Sequence, residues 1–170
     1  MSISKKYNVF IIAALVAITF MGCHYTLKDV SIPKYVKTIR VNYIDNKARY
    51  VNPQLSPQLT DKLRQKINNQ TNRTLVQGDN ADYDISGFIS DYSFSAAGIS
   101  NKQTSTTRLS ITVHIKVLDR NDDKKNIEAD VNRTFDFDAN ISIPQAEAQL
   151  NESILRNLTD EIFNRIFSSW

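Results

Sequence analysis

The sequence predicts an α+β domain: a four- or five-stranded mixed, mostly antiparallel sheet with two helices packed on one face, in the order β-α-β-β-β-α. Three observations carry that expectation. Leu109, Ile111, Val113, Ile115 and Val117 alternate with Ser110, Thr112, His114 and Lys116, the period of a strand with one buried face. Two other segments repeat apolar residues at helical spacing, Leu59-Leu63-Ile67 and Leu150-Ile154-Leu158-Ile162-Ile166. With 41% hydrophobic residues in 170, the chain can build one packed core, and its four Gly and four Pro exclude a low-complexity or collagen-like polymer.

Thr38 to Ile44 reads as the first strand, with Ile39, Val41 and Tyr43 on one face and Arg40 and Asn42 on the other. A polar loop containing Asn52-Pro53 leads to a helix that Ser56 can cap, with Pro57 in the first turn, where its missing N–H costs nothing. This helix should stop near Asn69–Asn72. Thr74-Leu75-Val76 suggests a short strand, ended by Gly78-Asp79-Asn80. Tyr83, Ile85, Gly87 and Ile89 share the next strand face, but Phe88, Tyr92 and Phe94 have the opposite parity. A bulge near Ser90–Asp91, or two buried faces, would explain the slip. Ile99–Thr107 reads as a loop before the cleanly alternating strand. A turn at Arg120–Asn126 joins that strand in a hairpin to the series Ile127, Ala129, Val131, Phe135 and Phe137, which Arg133 interrupts. The last helix begins near Pro144 with Ser142 as its cap, and Leu155, Phe163, Phe167 and Trp170 widen its apolar arc.

The N-terminus differs in kind. Lys5 and Lys6 precede a run from Val9 to Met21 that carries no charge. A bilayer core takes about 20 apolar residues to span, so this run suits the apolar part of an export signal. It ends in Phe20-Met21-Gly22-Cys23, which resembles a lipobox, although Phe20 and Met21 depart from its usual residues. Residues 1–22 are therefore expected to be a lipoprotein signal peptide, 23–37 an acylated N-terminus and tether, and 38–170 a single domain. Cys23 is the sole cysteine, and only a thiol can carry the thioether-linked lipid. The alternative is an ordinary secretory signal, or an uncleaved anchor, with a chance Cys. Two or three acyl chains would make attachment to the membrane practically permanent. His24 follows the cysteine rather than an Asp, so the expected location is the outer membrane, on its periplasmic side.

Charge narrows the function classes. The formal net charge is +3, but the first 22 residues hold Lys5, Lys6 and no acid, leaving 19 basic residues against 18 acidic ones. A near-neutral domain is a poor nucleic-acid binder. Catalytic constellations are missing from the sequence as well. The two histidines are His24, beside the anchor, and His114, on the polar face of a strand. No Gly-x-Ser-x-Gly elbow, phosphate-cradling Gly-rich loop or metal-ligand spacing occurs. Asp136 and Asp138 flank Phe137 and read as the solvent side of a strand. Neither an enzyme nor a cofactor is expected.

Several segments taken together resemble a known family. They are the lipobox, Val51-Asn52-Pro53 before a Leu-bearing helix, Gln70-Thr71-Asn72 then Leu75-Val76, and Arg108-Leu109-Ser110-Ile111-Thr112-Val113. Phe135-Asp136-Phe137-Asp138 and the ending Asp160-Glu161-Ile162-Phe163-Asn164 to Trp170 complete the set. In order and spacing, across about residues 23–170, they resemble the LptE family of lipopolysaccharide-assembly lipoproteins in its Bacteroidetes version. The resemblance implies two helices on a mixed sheet, and a plug inside the LptD β-barrel that helps deliver lipopolysaccharide to the outer leaflet. Lipopolysaccharide carries phosphates and acids, so contacts from cations at a domain tip are expected: Lys102 and Arg108, and Arg120, Lys124 and Lys125 in the turn. A solvated turn is the plainer reading of these cations. The competing function is an envelope lipoprotein that binds a glycan or envelope protein without an LptD partner.

Overall fold

The computed structural model describes residues 32–100 and 103–167. Strands β1 (Thr38–Val41) and β2 (Asp45–Asn46) precede helix α1 (Leu55–Gln70) and strand β3 (Thr74–Leu75). Long strands β4 (Tyr83–Ser100) and β5 (Gln103–Asp119), a 3₁₀ turn (Asp123–Lys125), strand β6 (Ile127–Asp138) and helix α2 (Ile143–Phe167) follow. The sheet runs β3-β1-β4-β5-β6, and β2 pairs with β4 beyond the end of β1. Six strands thus occupy five lanes. β1 lies parallel to both β3 and β4, β2 is also parallel to β4, and β4-β5-β6 is an antiparallel meander, so the sheet is mixed.

The core is the predicted one. Ile39, Val41, Ile85, Ile89, Leu109, Ile111, Val113, Ile115, Val117 and Val131 turn one sheet face toward Leu59, Leu63 and Ile67 of α1 and Ile154, Leu158, Ile162 and Ile166 of α2, all buried in one cluster. Each such side chain contributes roughly 1.5–3 kcal/mol by leaving water. The helices lie side by side and point the same way. Asn151 Nδ2 donates to Gln58 Oε1 at 3.0 Å and Lys66 Nζ to Asp160 Oδ1 at 2.7 Å, so both helices start at one end of the sheet.

Local differences from the sequence reading have physical causes. The first strand breaks after Val41 because the Ile44 amide donates to Thr60 Oγ1 of α1, at 3.1 Å, rather than to the sheet. That jog changes the parity, so Ile44 is buried and Tyr43 is 52% exposed, not inward as its spacing with Val41 predicts. It also supplies the extra strand β2; counted with the short strand expected at Thr74-Leu75-Val76, which is β3, the observed order is β-β-α-β-β-β-β-α rather than β-α-β-β-β-α. Helix α1 starts one residue before Ser56, which is not its cap. Gln54 holds that position without a side-chain bond, and Ser56 is buried in the first turn. Asn52 Oδ1 instead accepts from the Gln54 amide at 3.0 Å.

Asn72 ends α1 with φ 48°, a left-handed conformation that Asn tolerates. The slip in β4 is a bulge: the register against β5 shifts between Ile89 and Asp91, which turns Tyr92 inward. Ile99–Ser100 and Gln103–Thr107 are strand rather than loop, because β4 runs to Ser100 and β5 starts at Gln103. Their run of Thr and Ser suits an extended ribbon, which two-faced hydrophobic patterning does not reveal. At α2, the Gln145 side chain accepts from the Ser142 amide at 3.2 Å, the reciprocal half of a capping box.

Candidate functional site

Three surfaces present chemistry. The first is the end where the chain enters. Asp82 accepts from the Lys37 and Thr38 amides at 2.8 and 2.9 Å, and from Thr38 Oγ1 at 2.9 Å. These donors, the Lys37 amide foremost, hold its carboxyl at about 2, well below the usual value. Beside it, Tyr35 donates to Asp119 Oδ2 at 2.5 Å, and that bond pushes the phenol up to about 12. Asp119 is 1% exposed and also accepts from the Asn121 and Asp122 amides, so it organises the turn after β5. The entering segment Tyr35–Thr38 is thereby clasped by two acids.

The second surface is the sheet face opposite the helices. Among the described residues no element covers it. Its side chains pair with one another across strands. Arg108 donates to both Asp136 oxygens at 2.7 and 2.8 Å, which raises the guanidinium and lowers the carboxyl. Asn132 Nδ2 donates to Thr112 Oγ1 at 2.8 Å. His114 sits between Asp130, 2.8 Å from Nδ1, and Glu128, 3.3 Å from Nε2. The Phe88 ring lies 5.0 Å from His114, and Lys47 Nζ caps Phe88 at 4.5 Å. Arg40 pairs with Asp84 and Asp79. The result is a polar surface that is ion-paired in part, at Arg108–Asp136 and Arg40–Asp84, with acids in excess around His114 and half-buried apolar stems.

The third surface lies at the far end, where both helices begin. Tyr50 stacks on Tyr92 (5.3 Å, 24°), and Phe94 meets both rings edge-on, with Phe137 beyond it. Tyr92 donates to Glu147 Oε1 at 2.7 Å, and the Tyr50 hydroxyl lies 3.4 Å from Oε2. Burial, then the carboxylate, pushes both phenols up. Next to this cluster is a groove of about 470 Å³. Asn52, Pro53 and Gln54 form one wall, and Pro144, Glu147, Ala148 and Asn151 form the other.

The expected contact cations are not gathered. Cys23, Lys102 and Trp170 lie outside the described residues. Arg108 is on the open sheet face, paired with Asp136. Arg120, Lys124 and Lys125 lie at the entry end, 12 or more residues further along the chain, which at strand rise is roughly 35–40 Å away. There Lys125 bends back toward Tyr35 and Asp122, while Arg120 and Lys124 are exposed. His114 is a surface residue held by two acids, and Asp136 is the partner of Arg108. Among the described residues no group of three His, Cys, Asp or Glu side chains is placed to hold a metal ion, and no helix is long and apolar enough to cross a membrane. Sequence reasoning missed the groove. Asn52-Pro53 and Ser142-x-Pro144 mark its two lips, but only the fold brings them together.

Comparison with known proteins agrees with this architecture. The family model LptE, described as Lipopolysaccharide-assembly, matches residues 36–166, well over half of the chain. No curated protein matches. Among solved structures, the chain is similar to a minor lipoprotein from Acinetobacter baumannii at 16% identity and a TM-score of 0.50, covering 77% of this chain and 92% of that one. It is also similar to rare lipoprotein B from Shewanella oneidensis (13% identity, TM-score 0.50, 76% and 90% covered). A hypothetical protein from Chlamydia trachomatis gives 7% identity and a TM-score of 0.53, with 78% and 99% covered. At such identities the likeness is one of fold.

Proposed function

The chain belongs to the LptE family, and from that premise we propose that it is an outer-membrane lipoprotein that plugs an LptD-type β-barrel. Residues 1–22 direct export, Cys23 carries the lipid, residues 23–37 tether the domain, and the domain helps pass lipopolysaccharide to the outer leaflet without catalysing a reaction. The single observation that carries the plug reading is the asymmetry of the sheet. Both helices cover one face, and among the described residues nothing covers the other, which is polar and bonded across its strands. A barrel interior is a wet, polar wall, and a polar face whose side chains bond one another across strands can lie against it while its remaining charges keep water.

Depletion of the protein in its host tests this function. Lipopolysaccharide should fall at the cell surface, accumulate on the periplasmic side, and leave the envelope permeable to bulky antibiotics. Normal surface lipopolysaccharide after depletion would contradict the proposal.

A further inference from the structure

We infer that the groove between the starts of the two helices holds the uncharged, hydroxyl-rich part of a glycan. Its volume, about 470 Å³, lies within the range of small-ligand sites, roughly 300–1,000 Å³. Its lining selects the ligand class. Asn52, Gln54 and Asn151 bring three side-chain amides, each a paired donor and acceptor. Some of that capacity is already spent, because Asn52 Oδ1 accepts from Gln54 N, the Asn52 side chain also bonds the Tyr92 hydroxyl, and Asn151 Nδ2 donates to Gln58. The Gln54 amide is exposed, and Asn151 Oδ1 remains available to accept. Glu147 adds a carboxylate whose position is fixed by the Tyr92 and Tyr50 hydroxyls. Pro53 and Pro144 supply rigid apolar lips, and three exposed apolar residues, Tyr50, Val51 and Ile143, adjoin the lining in space or sequence.

Other ligand classes fit less well. No Lys or Arg lines the groove, and Glu147 would repel a phosphate or carboxylate. Three amides and a carboxylate are a costly wall for an acyl chain. A peptide gains most from a free strand edge, and the walls here are helix starts and the loop before α1. Sugar hydroxyls match amides and a fixed carboxylate, while sugar C–H faces match prolines and a tyrosine rim. The inference deepens the lipopolysaccharide reading, because it gives the sugar rather than the phosphates to this groove. It rests on that reading only for the source of the glycan.

The test uses the mature lipoprotein, purified from membranes in a sugar-free detergent, without any barrel partner. Failure of the plug reading therefore leaves the result intact. Titration calorimetry would follow two probes, with the untreated phosphorylated oligosaccharide as a comparison: lipid-free oligosaccharide released from the host's lipopolysaccharide, enzymatically dephosphorylated and with its carboxyls amidated, and peptidoglycan-derived disaccharide with its lactyl carboxyl amidated. Saturable binding of either probe is expected, and which one binds identifies the source. Ala148→Trp fills the groove from an exposed position and should abolish binding. Gln54→Ala removes one amide that makes no internal contact and should weaken binding about fivefold. Lys116→Ala, on the open sheet face, should leave it unchanged. Circular dichroism would verify that each variant is folded, and Gln54→Ala decides the matter if Ala148→Trp is not. Binding by neither probe, binding only of phosphorylated oligosaccharide, or unchanged affinity in Gln54→Ala together with any folded Ala148→Trp would overturn the inference.

Discussion

The two faces of β5 divide the molecule. Leu109, Ile111, Val113, Ile115 and Val117 are at most 1% exposed beneath the helices, while the residues between them, Ser110, Thr112, His114 and Lys116, are half-buried or exposed on a face no described element covers. One face supplies stability, and the other carries polar pairs across its strands. A domain that docks against a polar wall gains from this division, since its outer residues can vary with the partner while its inner residues keep the fold.

Breaking the inner face should have the largest effect. Ile115→Ala, at a fully buried position, should cost about 2–5 kcal/mol in urea unfolding. A loss under about 1 kcal/mol would mean that the helices do not seal this face. Gly87→Ala probes the same face through the backbone. An added Cβ would meet the His114 carbonyl at 2.5 Å and Ile115 Cδ1 at 2.9 Å. The strands must part, at a cost of roughly 1–3 kcal/mol; a variant of unchanged stability would show that the pair can give at this point.

The clasp at the entry end comes next. Asp82→Asn should lose about 1–2 kcal/mol at neutral pH, after discounting for solvent screening of a partly exposed group. Its folded-state pKa is depressed from 3.8 to about 2, so its contribution is present above the ordinary value and is lost as pH falls from about 4 to about 2. Unfolding curves across that window should steepen for the wild type relative to the variant. Parallel curves would assign the acid sensitivity elsewhere. The smallest effect belongs to the open face. Lys116→Ala, adjacent to Ile115, should change stability by no more than about 0.5 kcal/mol. A large loss there would show that the open face is structural.

The sequence reading reached furthest where patterning is local. The alternation in β5 and the helical stripes gave the core, and the parity slip at Ser90 marked the place where a bulge, one of two readings, is found, because period and parity are properties of a few neighbouring residues. It failed where a tertiary bond decides. Nothing near Tyr43 signals that Thr60, in the following helix, takes the Ile44 amide and rotates the chain. Ser56 carries a good capping residue type, but the Asn52–Gln54 turn starts the helix earlier and buries it. The Ser- and Thr-rich start of β5, Gln103–Thr107, looks like a loop because it extends past the hydrophobic core that would impose alternation. The far-end cluster was illegible for another reason. Tyr50, Tyr92 and Glu147 lie on three elements and only the closed fold makes them neighbours. Arg108, chosen as a free cation, is instead matched by Asp136 across the β5–β6 pair, a partnership that needs the register to be known.

The central claim is that this domain is the plug of an outer-membrane barrel. Affinity purification of the full-length tagged protein from mildly solubilised outer membranes tests it most directly. The account predicts one large β-barrel protein in equal stoichiometry, retained through repeated washes. Recovery of the chain alone, or with only trace amounts of many envelope proteins, would contradict it.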